Sequence, residues 1–229
     1  MTQPQTTFVP LLPSTRGALR HVSRDTPALL CPVLHGHGME AREMVEWFEP
    51  LFETWPSVYF LFLQAPCRWH GASGQFLPGW FDYVAEHEGA QEDEISAESL
   101  QGSLQALEDV VRAEAASLGI SRVACLGLSE GGCMALELAR RLPLHGVVTL
   151  VSHRRSEHAS EPLTCPWLAL TAKKDSVYAA PWALAHLPQA SRWVVVDDEH
   201  YLEESDEAVK EFLHESLRTL SETSKQEAP

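Results

Sequence analysis

The sequence has few basic residues. Its 17 lysines and arginines are outnumbered by 32 aspartates and glutamates, so the formal net charge is −15. A surface with this charge repels the phosphates of nucleic acids and the headgroups of anionic lipids. We therefore expect no nucleic-acid partner.

The sequence also lacks a long apolar run. A membrane-spanning helix needs about 20 consecutive apolar residues, whereas the apolar runs here are as short as single strands. Residues 1–10 contain neither a basic cluster nor the apolar core of a secretory signal. We expect no stable membrane insertion and a cytoplasmic location.

Cysteine is sparse and odd in number, which argues against a disulfide framework. Three of the five cysteines lie in apolar, strand-like runs. This pattern is typical of reduced, buried thiols in a cytoplasmic protein. The five are Cys31, Cys67, Cys125, Cys133 and Cys165.

Strand-like and helix-like segments alternate along the chain, which is typical of a mostly parallel sheet with helices on both faces. We predict an α/β fold with one domain at 28–220. An edge segment or loose arm precedes it at 1–27, and a disordered tail follows at 221–229. The predicted strands are 28–34, 58–63, 122–126, 145–151, 165–170 and 192–196, and the predicted helices are 40–53, 96–118, 130–141, 181–186 and 204–220. The acidic stretch 86–98 is interpreted as a solvated loop.

The segment Gly127-Leu128-Ser129-Glu130-Gly131 has the pattern Gly-x-Ser-x-Gly. It follows a predicted strand and precedes a predicted helix, as in a nucleophile elbow that holds a serine in strained backbone geometry. The helix N-terminus then directs its N–H groups at a developing oxyanion. The pattern predicts Ser129 as a nucleophile, and the alternative is a plain glycine turn.

A serine nucleophile needs a base that accepts its proton. His200 follows the predicted strand 192–196, where a loop at the carboxyl edge of the sheet would carry it. Asp175 follows the strand 165–170 and is the candidate acid that orients the imidazole. The alternative for Asp175 is an ordinary turn residue or an N-cap. Asp197 and Asp198 compete for the acid's role, but they precede His200 too closely to reach its far nitrogen easily.

The segment His35-Gly36-His37-Gly38 follows the first buried strand. Its glycines let the backbone approach a substrate, so the backbone N–H groups of His37 and Glu130 are the expected oxyanion donors. Two alternatives are a structural glycine turn and a metal site at His35 and His37. No matching ligand cluster lies nearby in the sequence, and we expect no metal.

Together these segments resemble the acyl-protein thioesterase and carboxylesterase family of α/β hydrolases, also called the phospholipase/carboxylesterase family. The resemblance implies the α/β-hydrolase fold, a catalytic Ser129, Asp175 and His200, no cofactor, and ester or thioester substrates. Trp80 belongs to the most family-specific segment and is expected to bind substrate. The matching segments are Leu34-His35-Gly36-His37-Gly38, Gln64-Ala65-Pro66, Trp80-Phe81-Asp82, Gly127-Leu128-Ser129-Glu130-Gly131-Gly132, Lys174-Asp175 and His200.

Two departures from the family pattern concern the site. Glu130 stands where the family usually has glutamine, but only its N–H is needed for an oxyanion. The family's usual Leu-Ser-Gly is replaced by Val151-Ser152-His153-Arg154-Arg155. Because ligands bind at the carboxyl ends of parallel strands, Arg154 or Arg155 is expected to bind an anionic part of the substrate. The alternative is that both arginines are solvated loop residues that pair with the nearby Glu157 or Glu161.

The sequence thus predicts a serine hydrolase that cleaves carboxylic esters or acyl thioesters of small molecules or acylated proteins through an acyl-enzyme on Ser129. One alternative is a non-catalytic binding protein of the same fold, although such proteins usually lose a residue of the triad. The other is a dienelactone-type or peptidase-type hydrolase.

Overall fold

The structure, a computed structural model, describes residues 6–9, 18–21, 26–87, 91–178, 184–185, 187–202 and 206–222. Its strands are β1 (Thr6–Val9), β2 (Ala18–His21), β3 (Leu29–Leu34), β4 (Val58–Leu63), β5 (Cys67–His70), β6 (Gln75–Pro78), β7 (Tyr83–Ala85), β8 (Glu94–Ile95), β9 (Ala124–Leu128), β10 (Gly146–Leu150), β11 (Trp167–Ala172) and β12 (Arg192–Val196). Its α-helices are α1 (Ala41–Phe48), α2 (Ala97–Leu118), α3 (Glu130–Leu138) and α4 (Asp206–Glu222). Short 3₁₀ helices span Glu49–Thr54, Ser156–His158 and Leu187–Gln189.

One sheet of eight strands organises the fold, in the order β1-β2-β4-β3-β9-β10-β11-β12. The six strands from β4 to β12 run parallel, and β2 and β1 add an antiparallel pair at one edge. The predicted mostly parallel sheet is confirmed. The chain reverses its direction across the sheet between β3 and β9, and ligands of open α/β sheets bind at such a switch point, outside the carboxyl ends of the strands.

Alternate residues of the strands enter two separate cores. On one face Leu30 and Leu34 of β3 pack with residues of α2 and α3. On the other face Leu29, Cys31 and Val33 pack with residues of α1 and α4. The period of two along a strand sends successive side chains to opposite faces, so a strand buried on both faces has an uninterrupted apolar sequence.

Several boundaries differ from the predicted ones for local reasons. α1 ends at Phe48, and a 3₁₀ helix continues to Thr54, because Pro50 has no N–H to donate to a further turn. β9 runs to Leu128, so no residue separates it from Ser129. α4 continues to Glu222, past the predicted end at 220. The predicted helix 181–186 lies outside the described residues except for 184–185, and the tail 223–229 lies outside them entirely.

The prediction of a solvated loop over 86–98 is wrong in part. β8 pairs with β7 in a small antiparallel ribbon, and Ser96 caps the N-terminus of α2. The carboxylate of Glu92 contacts His153 and Arg155, which lie far away in sequence. These distant cations partly neutralise the acidic segment. Their contacts with Glu92 could not be predicted from the local sequence.

Candidate active site

Ser129 occupies a strained elbow between β9 and α3. Its backbone has φ 51° and ψ −119°, a conformation that residues with a side chain rarely adopt. The flanking glycines permit the close packing of this turn. A Cβ atom at Gly127 would lie 2.1 Å from the carbonyl oxygen of Gly131, and one at Gly131 would lie 2.3 Å from that of Leu34. Backbone atoms leave no room for a side chain at either glycine.

Gly131→Ala should therefore destabilise the protein by about 3 kcal/mol or more, since an added methyl group must displace backbone. The matched control is Gly102→Ala in α2, where an added Cβ meets nothing within 4 Å. That change should stabilise the protein by roughly 0.5–1 kcal/mol, because alanine favours the helix. Urea denaturation of both variants measures the difference, and equal stabilities would contradict the tight elbow.

The structure brings Ser129, His200 and Asp175 together in one hydrogen-bonded chain. Nε2 of His200 lies 2.9 Å from Oγ of Ser129, and Nδ1 of His200 lies 2.8 Å from Oδ2 of Asp175. The three residues follow β9, β12 and β11 directly or within a short loop, so all lie at the carboxyl edge of the sheet. In this arrangement a base can take the serine proton while an acid holds the ring.

Asp175 is fully buried, and both of its oxygens are used. Oδ1 accepts the N–H groups of Val177 and Tyr178 at 2.8 and 2.7 Å, while Oδ2 faces His200. The two sequence interpretations of Asp175, a turn residue and a partner of histidine, therefore coexist in one side chain. Asp197, in contrast, is largely exposed and pairs with Lys174.

The expected oxyanion donors, His37 and Glu130, belong to segments that adjoin the serine. Glu130 is the first residue of α3, and a Cβ atom at Gly36 would lie 3.4 Å from Cβ of Ser129. Within the described residues no hydrogen bond occupies either N–H. Two unoccupied N–H donors near a serine can hold a negatively charged oxygen.

His35 has a structural position. Its Nε2 accepts the N–H of Ala65 at 3.0 Å, and its Nδ1 faces the carbonyl oxygen of Gly36 at 2.7 Å. Burial lowers the pKa of His35 to about 4, so the ring is neutral at pH 7. Among the described residues, no group of three or more His, Cys, Asp or Glu side chains could hold a metal ion.

The three expected substrate-binding side chains lie away from the serine. Trp80 is buried behind the turn after β3, and its indole N–H donates to the carbonyl oxygen of His35 at 2.9 Å. Arg154 is buried and donates to the side chain of Gln189 and to the carbonyl oxygen of Glu161. Arg155 pairs with Glu157 at 2.9 Å and faces Glu92. Arg155 thus pairs with a glutamate of its own loop, as the alternative for this loop expected. Arg154 differs from that alternative, because it is buried rather than solvated and its partners are an amide side chain and a backbone carbonyl.

A cleft of about 640 Å³ opens at Ser129 and His200. Small-molecule sites have volumes of about 300–1,000 Å³. Within the described part of the chain, three carboxylates (Glu43, Glu86 and Asp93) and no lysine or arginine line it. The apolar and aromatic wall consists of Met39, Trp47, Tyr83, Leu128, Val177, Tyr178 and Tyr201.

Sequence reasoning missed Tyr178. Its N–H donates to Asp175, its side chain hydrogen-bonds that of Ser129, and its ring packs edge-on against His200 with centroids 5.3 Å apart. Burial raises the pKa of the Tyr178 phenol well above its usual value, so it stays neutral. A local pattern could have predicted this position. An aspartate often accepts the N–H groups of residues two and three positions later in the chain, and such a turn places Tyr178 beside Asp175.

Solved structures of other proteins share this architecture. The chain superposes on the Zea mays acyl-protein thioesterase 2 with a TM-score of 0.67, at 18% identity, covering 86% of this chain and 98% of that one. It superposes on a carboxylesterase from Mesorhizobium loti with a TM-score of 0.70, at 14% identity, covering 92% and 98%. A search of curated proteins finds no match. The strand order and the elbow define an α/β hydrolase.

A model of the phospholipase/carboxylesterase family matches residues 11–164. The chain belongs to that family. The matched range contains the elbow with Ser129 and ends before Asp175 and His200, so the positions of these last two residues rest on the geometry.

Proposed function

We propose that this protein is a serine hydrolase that cleaves carboxylic esters or acyl thioesters through a covalent acyl-enzyme on Ser129. The observation that supports this most directly is the continuous chain from Oγ of Ser129 through His200 to Asp175, with distances of 2.9 and 2.8 Å. Family membership favours the same class of reaction.

The proposed reaction has two halves. In the first, His200 takes the proton of Ser129 as Oγ attacks the substrate carbonyl, and the N–H groups of His37 and Glu130 stabilise the oxyanion. His200 then protonates the leaving alcohol or thiol. In the second half, water attacks the acyl-enzyme with the same base and donors. Asp175 holds the imidazole in the required tautomer and stabilises the imidazolium throughout.

A panel of p-nitrophenyl esters and acyl thioesters of graded chain length tests the proposal. We expect turnover of at least one series, with a maximum at an acyl length that the cleft accommodates. Turnover of neither series by the folded protein would contradict the proposal. The same panel, extended with a dienelactone and with peptide substrates, tests the alternative activities of this fold.

The alternative of a non-catalytic binding protein is disfavoured by the same geometry. A binding module has no need to keep a buried aspartate on a histidine that faces a strained serine. A non-catalytic role would also not explain the strained backbone conformation of Ser129, since a strained residue usually persists where function requires it.

The lining of the cleft leads to a prediction about substrate charge. Because three carboxylates and no lysine or arginine line it within the described residues, a neutral ester should have a higher kcat/KM than an ester of similar size with a carboxylate. We expect the two kcat/KM values to differ by about tenfold or more, which corresponds to at least about 1.4 kcal/mol of activation free energy. The difference should decrease as salt is added, because salt screens the carboxylates.

The controls are Arg154→Ala and Arg155→Ala, each measured on both esters. The guanidinium groups point to Gln189 and Glu157, so each change should alter the two kcat/KM values by the same small factor. A selective loss of kcat/KM on the anionic ester would instead indicate that the substituted arginine binds the substrate.

We also propose a cytoplasmic location. All five cysteines lie in the part of the chain that the structure describes, and none of them forms a disulfide there. This agrees with a reducing compartment. No helix in the described segments has the length and apolar character that crossing a membrane requires.

A further inference from the structure

Cys133, His153 and Glu92 form a second chain of reactive side chains beside the serine site, and Tyr83 and Tyr178 line the cavities of both. Sγ of Cys133 lies 3.4 Å from Nδ1 of His153, and Nε2 of the same ring lies 3.4 Å from Oε1 of Glu92. The three residues come from the first turns of α3, the loop after β10 and the segment before β8. The imidazole thus stands between a thiol and a carboxylate, the order in which cysteine nucleophiles are activated.

A strained residue holds this arrangement. Val151, fully buried, has φ 40°, which is unusual for a β-branched side chain. The turn there directs Ser152 and His153 back onto α3. Two further polar atoms face the sulfur of Cys133, Oγ of Ser152 at 3.5 Å and the carbonyl oxygen of His153 at 3.3 Å. Backbone strain of this kind persists where the surroundings or the function demand it.

Buried thiols in this protein differ in their ionisation. Burial raises the pKa of Cys31 to about 12 and that of Cys125 well above its usual value, because an apolar interior disfavours the charged thiolate. Burial acts in the same direction on Cys133, but the adjacent His153 outweighs it and lowers the pKa of this thiol. Burial also opposes a charged ring at His153, yet Cys133 and Glu92 together raise the pKa of His153 to about 9.

A small cavity leads to the sulfur. Its volume of about 10 Å³ holds about one water molecule. Phe81, Tyr83, Ile95 and Tyr178 form its apolar and aromatic wall, and the partly exposed Glu92 also lines it. An ester substrate does not fit into this space, and neither does a bulky alkylating reagent. A molecule close to the size of water does.

We propose that Cys133 is a modification site for small peroxides such as hydrogen peroxide, activated by His153 and Glu92 and reached through this cavity. The Cys133 thiolate attacks one peroxide oxygen, so that an S–O bond forms and the O–O bond breaks. The leaving hydroxide takes the proton of His153 and becomes water. Sulfur loses two electrons, which reduce the peroxide, and the product is a cysteine sulfenic acid. This site does not depend on the function proposed for Ser129.

The test compares cysteines within one molecule. The folded protein is treated with hydrogen peroxide for graded times and quenched with catalase. It is then unfolded in the presence of dimedone, which traps sulfenic acids, and mapped by peptide mass spectrometry. We expect dimedone on Cys133 to appear at least about tenfold faster than on Cys31 or Cys125, because the thiolate is the reactive form. Equal rates at the three residues would overturn the proposal.

Two variants and a second oxidant separate activation from access. His153→Gln should slow oxidation of Cys133 by about tenfold or more, and Glu92→Gln, near the surface, should slow it by a smaller factor. Cumene hydroperoxide, too large for the cavity, should react with Cys133 far more slowly than hydrogen peroxide does. An unchanged rate in both variants would contradict activation by the imidazole, and equal rates with the two oxidants would contradict access through the cavity.

Discussion

Ser129→Ala should lower turnover of the best ester substrate by on the order of a million-fold, the loss seen when a serine hydrolase loses its nucleophile. The change removes only Oγ, which faces His200 at 2.9 Å, so we expect the fold to be kept. The same variant should no longer react with a fluorophosphonate probe, which modifies activated serines. Steady-state kinetics and in-gel fluorescence measure the two effects.

The control for this variant is Ser176→Ala, since Ser176 is another serine that lines the cleft. It should keep its labelling by the probe. Persistent labelling of Ser129→Ala, or loss of labelling in Ser176→Ala alone, would show that the nucleophile is not Ser129.

Asp175→Asn should lower turnover by roughly ten-thousand-fold while the protein stays folded. The amide oxygen can still accept the N–H groups of Val177 and Tyr178, so the turn is kept. The amide N–H₂ would face Nδ1 of His200, however, and hold the ring in the tautomer that cannot accept the serine proton. Steady-state kinetics together with circular dichroism separate the loss of activity from a loss of fold.

Asp197→Asn is the matched control, because Asp197 lies in the loop before His200 but its side chain is largely exposed. It should leave kcat/KM within a small factor of the wild-type value. A ten-thousand-fold loss in Asp197→Asn or Asp198→Asn, with little loss in Asp175→Asn, would assign the acid to that loop instead.

The topology of a parallel sheet explains why the sequence could predict the proximity of Ser129, Asp175 and His200. Each residue follows an apolar segment of strand length, and in a parallel sheet all such segments end at the same edge. Side chains far apart in the chain therefore converge without any knowledge of loop conformation. The strand order then needs only to bring β9, β11 and β12 near one another.

The surroundings of the triad could not be foreseen, because they depend on contacts between distant segments. Arg154 and Arg155 follow a strand end, as a ligand-binding residue would, yet their guanidinium groups turn toward Gln189 and Glu157. Trp80 belongs to a family-specific segment, but its indole supports the turn after β3 from behind. In each case the side chain is directed by partners that the sequence does not bring near it.

The cluster of Cys133, His153 and Glu92 could not be predicted either, because it also depends on contacts between distant segments. Cys133 looks in sequence like any apolar residue of α3, and Glu92 looks like one charge in an acidic stretch. Only the turn at Val151 and the ribbon of β7 and β8 bring the thiol, the imidazole and the carboxylate into line. Long-range packing, not local pattern, creates this chemistry.

Trapping the acyl-enzyme tests the central claim most directly. The protein is mixed with a p-nitrophenyl ester that it hydrolyses, quenched in acid during the first turnover, and digested for peptide mass spectrometry. We predict that the acyl group is found on Ser129 of the wild-type protein, and that no peptide of Ser129→Ala carries it. An acyl group on another residue, or release of p-nitrophenol with no acylated peptide at any time, would contradict the account.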